Sequence, residues 1–303
     1  MTVTESRLPT AAARNAPSMA GALLVSVVIL VVELVAGIAS NSLALLADAA
    51  HVFADVSGIA LALVAVRLAT RPRSDARTFG LYRLEIVVAA ANALVLLAVA
   101  AFVFYEGLRR LTSPPEVEGG VMTVVAAGAL VANLISARLL YRGGTESLTV
   151  RSAYLEVLGD LLGSAAVLVA GLIVVLTGWH QADALASLVV AVLIVPRTLT
   201  LLRDSLDVLL EATPRNVDLE HVRGHILDAP GVSDVHDLHA WTITSGMNVV
   251  SAHVVLTPDG QPGDVLDHLA TCLSDDFDVA HSTFQLETAE HVAWEARGAH
   301  LRH

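Results

Sequence analysis

The chain has 303 residues, of which 55% are hydrophobic and only 16% are charged, and its formal net charge is −12 at pH 7. This composition, with a mean hydropathy of +0.66, excludes an ordinary soluble globular protein and predicts that much of the chain lies in a lipid bilayer. The acidic surplus argues against binding to nucleic acid, because negative side chains repel phosphate groups.

Six apolar stretches follow a short N-terminal arm. Residues 1–18 contain two Pro and no apolar core, so we expect a flexible arm rather than a signal peptide. Each stretch is close to the roughly 20 residues that cross a hydrocarbon core of about 30 Å. They are residues 19–39, 43–68, 84–105, 121–140, 152–177 and 182–202. The sequence therefore predicts an α-helical membrane protein, with a six-span bundle over residues 19–206 and both termini on one side.

The arginines indicate which side that is. Most of those before residue 204 cluster in or beside the loops after the second and fourth stretches and at the end of the sixth: Arg67, Arg71, Arg73, Arg77, Arg83, Arg138, Arg142, Arg151, Arg197 and Arg203. Arg109 and Arg110, after the third stretch, are an exception that Glu106, Glu116 and Glu118 offset. Since Lys and Arg accumulate in cytoplasmic loops, we expect both termini to be cytoplasmic.

Two pairs of ionisable residues interrupt the apolar stretches. His51 and Asp55 lie in the second stretch, and Glu156 and Asp160 lie in the fifth, both with i, i+4 spacing. That spacing places each pair on one helical face, so two facing helices could present four ligands to one metal ion. An imidazole with carboxylates suits Zn²⁺, while Co²⁺, Cd²⁺ and Fe²⁺ accept the same ligands.

Other interpretations of these residues stay open. A buried hydrogen-bonded cluster without metal would explain a single pair, although two matched pairs favour a functional site because ionisable groups in a bilayer are costly. Asp48 lies three residues before His51 and could orient its imidazole from behind. Alternatively, it could interact with the N-terminal end of its helix.

A second domain is predicted after Arg203. Residues 204–303 contain seventeen Asp and Glu against four Arg, and ten of the twelve His. Helix, strand, strand, helix and strand patterns follow one another over residues 207–290, which predicts a cytoplasmic α+β domain with an αββαβ order. We expect residues 291–303 to form a flexible tail.

Several segments together resemble the signatures of the cation diffusion facilitator family, on its zinc, cadmium and cobalt side. The resemblance covers residues 19–290, and the segments are "SLALLADAAHVFADVSGIALAL", "RTFGLYRLEIVVAAANALVLL", "SAYLEVLGDLLGSAAVLVAGLI", "DALASLVVAVLIVPRTLTLLRDSLDVLLEATP" and "VHDLHAWTITSGMNVVSAHVVL". It implies a homodimeric transporter, not an enzyme, that exports divalent metal across the plasma membrane in exchange for H⁺. It also implies that the cytoplasmic domain is metallochaperone-like.

The resemblance also assigns residues to sites. The transport site would be His51, Asp55, Glu156 and Asp160, with Glu156 standing where the commonest zinc pattern has His; this bears on the metal preference, because a carboxylate is a harder ligand. Regulatory Zn²⁺ would bind among the candidates His236, His253, Glu287 and His281. An ion pair would join Arg83 to Asp207 or Glu211, although Arg83 could instead face lipid phosphate.

Three competing functions remain. An exporter that prefers Fe²⁺ or Mn²⁺ would use the same kind of ligands. A membrane-anchored metal sensor would not transport, and it would have no need of two matched pairs inside the bilayer. An intramembrane metalloenzyme would need a general base, as in the helical H-E-x-x-H arrangement, which the sequence does not contain.

Overall fold

The computed structural model describes residues 16–69, 75–142 and 148–292. Within these ranges some side chains are not described, among them those of residues 148–157, which include Glu156. Six long helices lie in the first two thirds of the described chain. They are α1 (Ala16–Ala39), α2 (Leu43–Ala69), α3 (Arg83–Thr112), α4 (Gly119–Arg142), α5 (Leu148–Thr177) and α6 (Gln181–Leu209).

Several of these helices have the length and composition of membrane-spanning elements. Among the described residues, three segments are long and apolar enough to cross a bilayer: Arg83–Thr112, Leu158–Thr177 and Gln181–Leu209. Shorter apolar helical segments are Ser26–Ala39 and Gly119–Ile135. Large apolar side chains such as Leu176 and Val124 are 79% and 73% exposed, so the outer surface of this region requires an apolar solvent.

Small residues allow α4 and α5 to pack closely. A Cβ atom added at Gly171 of α5 would lie 2.6 Å from Oγ1 of Thr123 and 3.1 Å from its backbone nitrogen. Val167 of α5 and Ala126 of α4 are fully buried in the same apolar core. Glycine at this crossing therefore lets the two backbones approach, as small residues do in membrane helix interfaces.

Asp183 connects the beginnings of α6 and α2. Its side chain is buried and accepts hydrogen bonds from Oγ of Ser42 at 2.6 Å, from the backbone nitrogen of Leu43 at 2.9 Å and from that of Ala44 at 3.2 Å. It thus satisfies free N–H groups in the first turn of α2. The contact holds the helix that carries His51 against α6.

The described residues divide into two compact units. One comprises described residues of 1–72 and 88–203, and the other comprises described residues of 73–87 and 204–303. In the second unit the order is α7 (Leu219–Leu227), β1 (Val232–Thr244), β2 (Met247–Leu256), α8 (Pro262–Phe277) and β3 (Val279–Glu287). This confirms the predicted αββαβ order.

The sheet of the second unit is mixed. β2 lies in the centre, antiparallel to β1 and parallel to β3. The β1–β2 hairpin turns at Gly246, whose φ of 74° suits glycine, whereas the parallel pair needs the crossover that α8 provides. Ile226 of α7 and Leu269 of α8 are fully buried with Val250 and Val254 of β2, so both helices share one core with the sheet.

Candidate metal sites

The first candidate site lies between α2 and α5. Nε2 of His51 is 2.7 Å from Oδ1 of Asp160 and 4.0 Å from Oδ2 of Asp55. One ligand atom from each of these three residues lies within 4.8 Å of the other two. All three side chains are largely buried, with exposed fractions of 14%, 20% and 22% for His51, Asp160 and Asp55. The structure thus brings three of the four predicted transport ligands together.

Glu156, the fourth predicted ligand, precedes Asp160 by one turn of α5, and its side chain lies outside the described residues. Its i, i+4 spacing predicts that it shares a helical face with Asp160. Its place in the site stays a prediction.

The cluster borders a cavity of about 240 Å³. Polar residues on its wall are Asp48, His51, Asp160 and Arg197, and most of the others are small or aliphatic, including Gly159, Gly163, Val190 and Ile194. A cavity with few polar groups in an otherwise apolar bundle is typical of small-ligand sites.

Asp48 faces this cavity and is only 5% exposed. Its Oδ2 accepts a weak hydrogen bond from Oγ of Ser164 at 3.5 Å, and Ser164 in turn accepts one from Nδ2 of Asn133 at 3.3 Å. The hydrogen bond that the structure gives to Asp48 thus comes from α5, not from His51. An orienting role of Asp48 toward the imidazole stays a prediction.

Arg197 is the feature of this site that the sequence analysis missed. Its Nη2 lies 3.0 Å from Oδ1 of Asp55, so α6 contributes a fixed positive charge to the cluster. From the sequence alone, this residue marks only the cytoplasmic side. The signal that could have found it is a lone arginine after Pro196 inside the apolar run "VLIVPRTLTLL".

A further buried carboxyl group lies in α1. Glu33 is 2% exposed, and its Oε2 has no hydrogen-bond partner among the residues that the structure describes. Glu33 is not among the residues that line the cavity beside His51. The structure therefore does not add it to the ligand cluster.

The second candidate site lies on the sheet of the other unit. His236 of β1 is directly opposite His253 of β2, and Glu287 ends β3 beside Val255. Oε2 of Glu287 is 3.1 Å from Nε2 of His236, and Oε1 is 2.7 Å from Nδ1 of His253. These three residues also offer one ligand atom each within 4.8 Å of the others.

The environment of Glu287 fits a metal ligand. Its side chain is 1% exposed, while the two imidazoles are about one third exposed and open the site to solvent. Nδ1 of His253 makes no aligned hydrogen bond with any described residue, although it is close to Glu287. Nε2 of Gln285 donates to Oε1 of Glu287 at 2.6 Å and fixes the carboxylate.

His281 is not part of this cluster. It lies six residues before Glu287 on β3, opposite Val249, and its ring packs edge-on against Phe79 with centroids 6.2 Å apart. A strand of six residues spans about 20 Å, which is too far for a shared ion. The structure thus keeps three of the four predicted cytoplasmic candidates together and separates the fourth.

The predicted ion pair involves Glu211. Nη2 of Arg83 is 2.6 Å from Oε1 of Glu211, and these side chains are 40% and 56% exposed. Asp207, the other predicted partner, instead lies 3.4 Å from Nη2 of Arg215. The structure therefore favours Glu211 as the partner of Arg83.

Two protein-family models together match almost the whole described chain. A model described as cation efflux transmembrane domain matches residues 20–210, and one described as cation efflux protein, cytoplasmic domain matches residues 214–289. Together they cover both units that carry the candidate metal sites.

Curated relatives agree with these models. The chain is 45% identical to the metal cation efflux system protein CzcD of Cupriavidus metallidurans over 276 residues, which is 91% of this chain and 87% of the relative. It is 38% identical to the zinc transporter ZitB of Escherichia coli (85% and 83% covered). It is 35% identical to the cadmium, cobalt and zinc/H(+)-K(+) antiporter of Bacillus velezensis (86% and 85%). The chain therefore belongs to the cation diffusion facilitator family, and it is a multi-pass membrane transporter for the efflux of divalent metal cations, not an enzyme.

Proposed function

We propose that the chain exports Zn²⁺ from the cytoplasm across the plasma membrane in exchange for protons, with Cd²⁺ and Co²⁺ as further substrates. The observation that carries the proposal is the His51, Asp55 and Asp160 cluster, which joins two apolar helices around one set of ligand atoms. One imidazole nitrogen with carboxylate oxygens is a ligand set that Zn²⁺ accepts. Among the relatives, one is named a zinc transporter and another a cadmium, cobalt and zinc antiporter.

Ligand chemistry supports the coupling to protons. An imidazole nitrogen and carboxylate oxygens bind a metal ion only when they are deprotonated, so protons and metal compete for the same site. If the cluster opens alternately to each side of the membrane, a proton gradient drives metal out. His51 is the natural proton carrier near neutral pH.

The remaining parts of the proposal concern assembly and orientation. Both termini and the second unit would be cytoplasmic, because arginine-rich loops are typical of the cytoplasmic side of a membrane. The chain would act as a homodimer, and the His236, His253 and Glu287 cluster would bind Zn²⁺ as a regulatory ligand. Its solvent-facing imidazoles support such a role, because cytoplasmic metal could reach them.

The first experiment measures metal uptake into proteoliposomes that contain the purified full-length chain under an imposed pH gradient. Zn²⁺, Cd²⁺, Co²⁺, Fe²⁺ and Mn²⁺ are compared for the native chain, for Asp160→Ala and for Glu118→Gln as a matched control. Glu118 is an exposed acidic residue that directly precedes α4. We expect gradient-driven uptake of Zn²⁺ that Asp160→Ala abolishes and Glu118→Gln preserves.

Other outcomes separate the alternatives. Uptake restricted to Fe²⁺ or Mn²⁺ would establish the same machinery with another substrate. If no metal moves although the chain still binds metal through the His236 cluster, the sensor function replaces the exporter. Uptake of Zn²⁺ that ignores the pH gradient would refute proton coupling.

A further inference from the structure

Arg197 places a permanent positive charge beside the candidate transport site. It lies on α6 directly after Pro196, and both residues line the cavity that His51 and Asp160 border. Its Nη2 is 3.0 Å from Oδ1 of Asp55. Arginine does not lose its proton in proteins, so this charge is present at every pH at which the chain works.

The two oxygens of Asp55 face different groups. Oδ1 contacts Arg197, while Oδ2 is 4.0 Å from Nε2 of His51, on the side of the ligand cluster. Arg197 is 45% exposed and Asp55 is 22% exposed. A metal ion bound by this cluster must therefore share the carboxylate of Asp55 with a guanidinium group.

The charges of the proposed ligand set explain why such a residue is useful. With His51 neutral, as a ligand must be, Asp55, Glu156 and Asp160 bring three negative charges against the two positive charges of the cargo. Excess negative charge in an apolar bundle holds a cation tightly, yet a transport site must also release it. The positive charge of Arg197 offsets part of this negative charge, and Asp48 on the wall of the same cavity is a further carboxyl group.

We propose that Arg197 is an affinity-setting residue of the transport site, a tethered cation that competes with the metal for Asp55 and keeps metal binding weak enough for release. This inference rests on the proposed function. The alternative is that Arg197 only marks the cytoplasmic side and contacts lipid phosphate. Its contact with Asp55 would then not change the metal affinity.

The test measures the Zn²⁺ affinity of the full-length chain in detergent by competition with a chelating dye, at alkaline pH. All variants are made in the Glu287→Gln chain, which serves as the parent. This substitution removes the contribution of the cytoplasmic cluster. Arg197→Gln is compared with Arg197→Lys, which keeps the charge. Arg203→Gln removes an exposed arginine from the same helix, about 9 Å further along its axis.

We expect Arg197→Gln to bind Zn²⁺ about tenfold more tightly than the parent. This is the effect of removing one charge about 6 Å from a divalent ion at the dielectric constant of water. The Kd values of Arg197→Lys and Arg203→Gln for Zn²⁺ should stay within about threefold of the parent's value. In proteoliposomes, Arg197→Gln should lower both KM and the maximal rate of Zn²⁺ uptake, because release becomes slower.

Asp160→Asn in the same background distinguishes a failure of the proposed transport site from a failure of the role proposed for Arg197. If it loses Zn²⁺ binding while Arg197→Gln binds with the parent's affinity or more weakly, Arg197 does not set the affinity and the inference is overturned. If Asp160→Asn binds Zn²⁺ as the parent does, the proposed transport site itself fails. Gel filtration and thermal unfolding establish that each variant is folded before its affinity is compared.

Discussion

Nε2 of His51 lies 2.7 Å from Oδ1 of Asp160, although 109 residues separate them along the chain. This contact joins α2 to α5 at the candidate transport site, with Asp55 one turn away from His51. Because the imidazole and the carboxylate hold each other in place, the ligand atoms are positioned before a metal ion arrives. The same contact must open or rearrange when metal binds, since the ring nitrogen cannot serve both partners.

Zn²⁺ binding at this cluster should weaken as the pH falls. Protons and metal compete for the same nitrogen and oxygen atoms, so lower pH raises the Kd, and the steepest change is expected near neutral pH because of His51. The measurement is a series of Zn²⁺ titrations across this pH range, made on the full-length chain with Glu287→Gln so that the cytoplasmic cluster does not contribute. His51→Gln should remove both most of the binding and most of its pH dependence; a native Kd that does not change with pH would contradict the shared site.

Replacing Asp183 should destabilise the bundle. The residue is 1% exposed and accepts three hydrogen bonds, one from Oγ of Ser42 and two from the backbone of the first turn of α2. Asp183→Ala leaves these donors without a partner and should lower the free energy of unfolding by about 1–3 kcal/mol. Thermal unfolding in detergent measures the loss, and Asp183→Asn should lose less. Glu118→Ala, at an exposed position, is the control, and an equal loss there would argue against the capping role.

Two glycine substitutions should behave differently. Gly171→Ala would bring a methyl group to 2.6 Å from Oγ1 of Thr123 and close to its backbone, so α4 and α5 must separate. We expect a loss of about 1–3 kcal/mol, as in other overpacked interfaces. At Gly128 an added Cβ meets no described heavy atom within 4 Å, and alanine should be neutral or slightly stabilising there. Equal thermal stability of the two variants would refute close packing at Gly171.

The cytoplasmic cluster should stabilise the chain when Zn²⁺ is added. A ligand that binds the folded state alone raises its stability in proportion to the logarithm of ligand concentration over Kd. All variants carry Asp160→Asn, which removes the contribution of the proposed transport site. In that background, Glu287→Gln removes the buried carboxylate that contacts both His236 and His253, so it should abolish most of the rise in Tm with Zn²⁺. Glu290→Gln, at an exposed position, should keep it. His281→Ala should also keep it, and a loss there would mean that His281 is a ligand after all.

The Arg83 and Glu211 pair should contribute little to stability. Both side chains are more than one third exposed, and water and salt screen such pairs to about 0–1 kcal/mol. Arg83→Glu should therefore cost at most about 1 kcal/mol in thermal unfolding, with recovery in the charge-swapped double variant with Glu211→Arg. Transport measured on the same variants shows whether the pair matters beyond stability; no recovery in the double variant would argue against the pairing.

Local patterns in the sequence were enough for the class of protein and for the order of its elements. Apolar runs of membrane-spanning length predicted the helical bundle, because hydropathy depends on each segment alone. Helix and strand patterns over residues 207–290 predicted the αββαβ domain in the same way. The structure shows one such local interaction at Asp218, whose side chain accepts hydrogen bonds at the start of α7. The i, i+4 spacing also placed His51 with Asp55 on one helical face before any packing was known.

Contacts between distant segments were decided only by the tertiary structure. Arg197 reaches Asp55 across 142 residues, and Asp183 caps a helix that begins 140 residues earlier. Likewise, β3 runs parallel to β2 and carries Glu287 to the histidines while it leaves His281 at the far end. These relationships depend on how each helix is rotated about its axis and on which strand edges meet. Local hydropathy and spacing are the same for many such arrangements, and only the packing of the whole chain selects one.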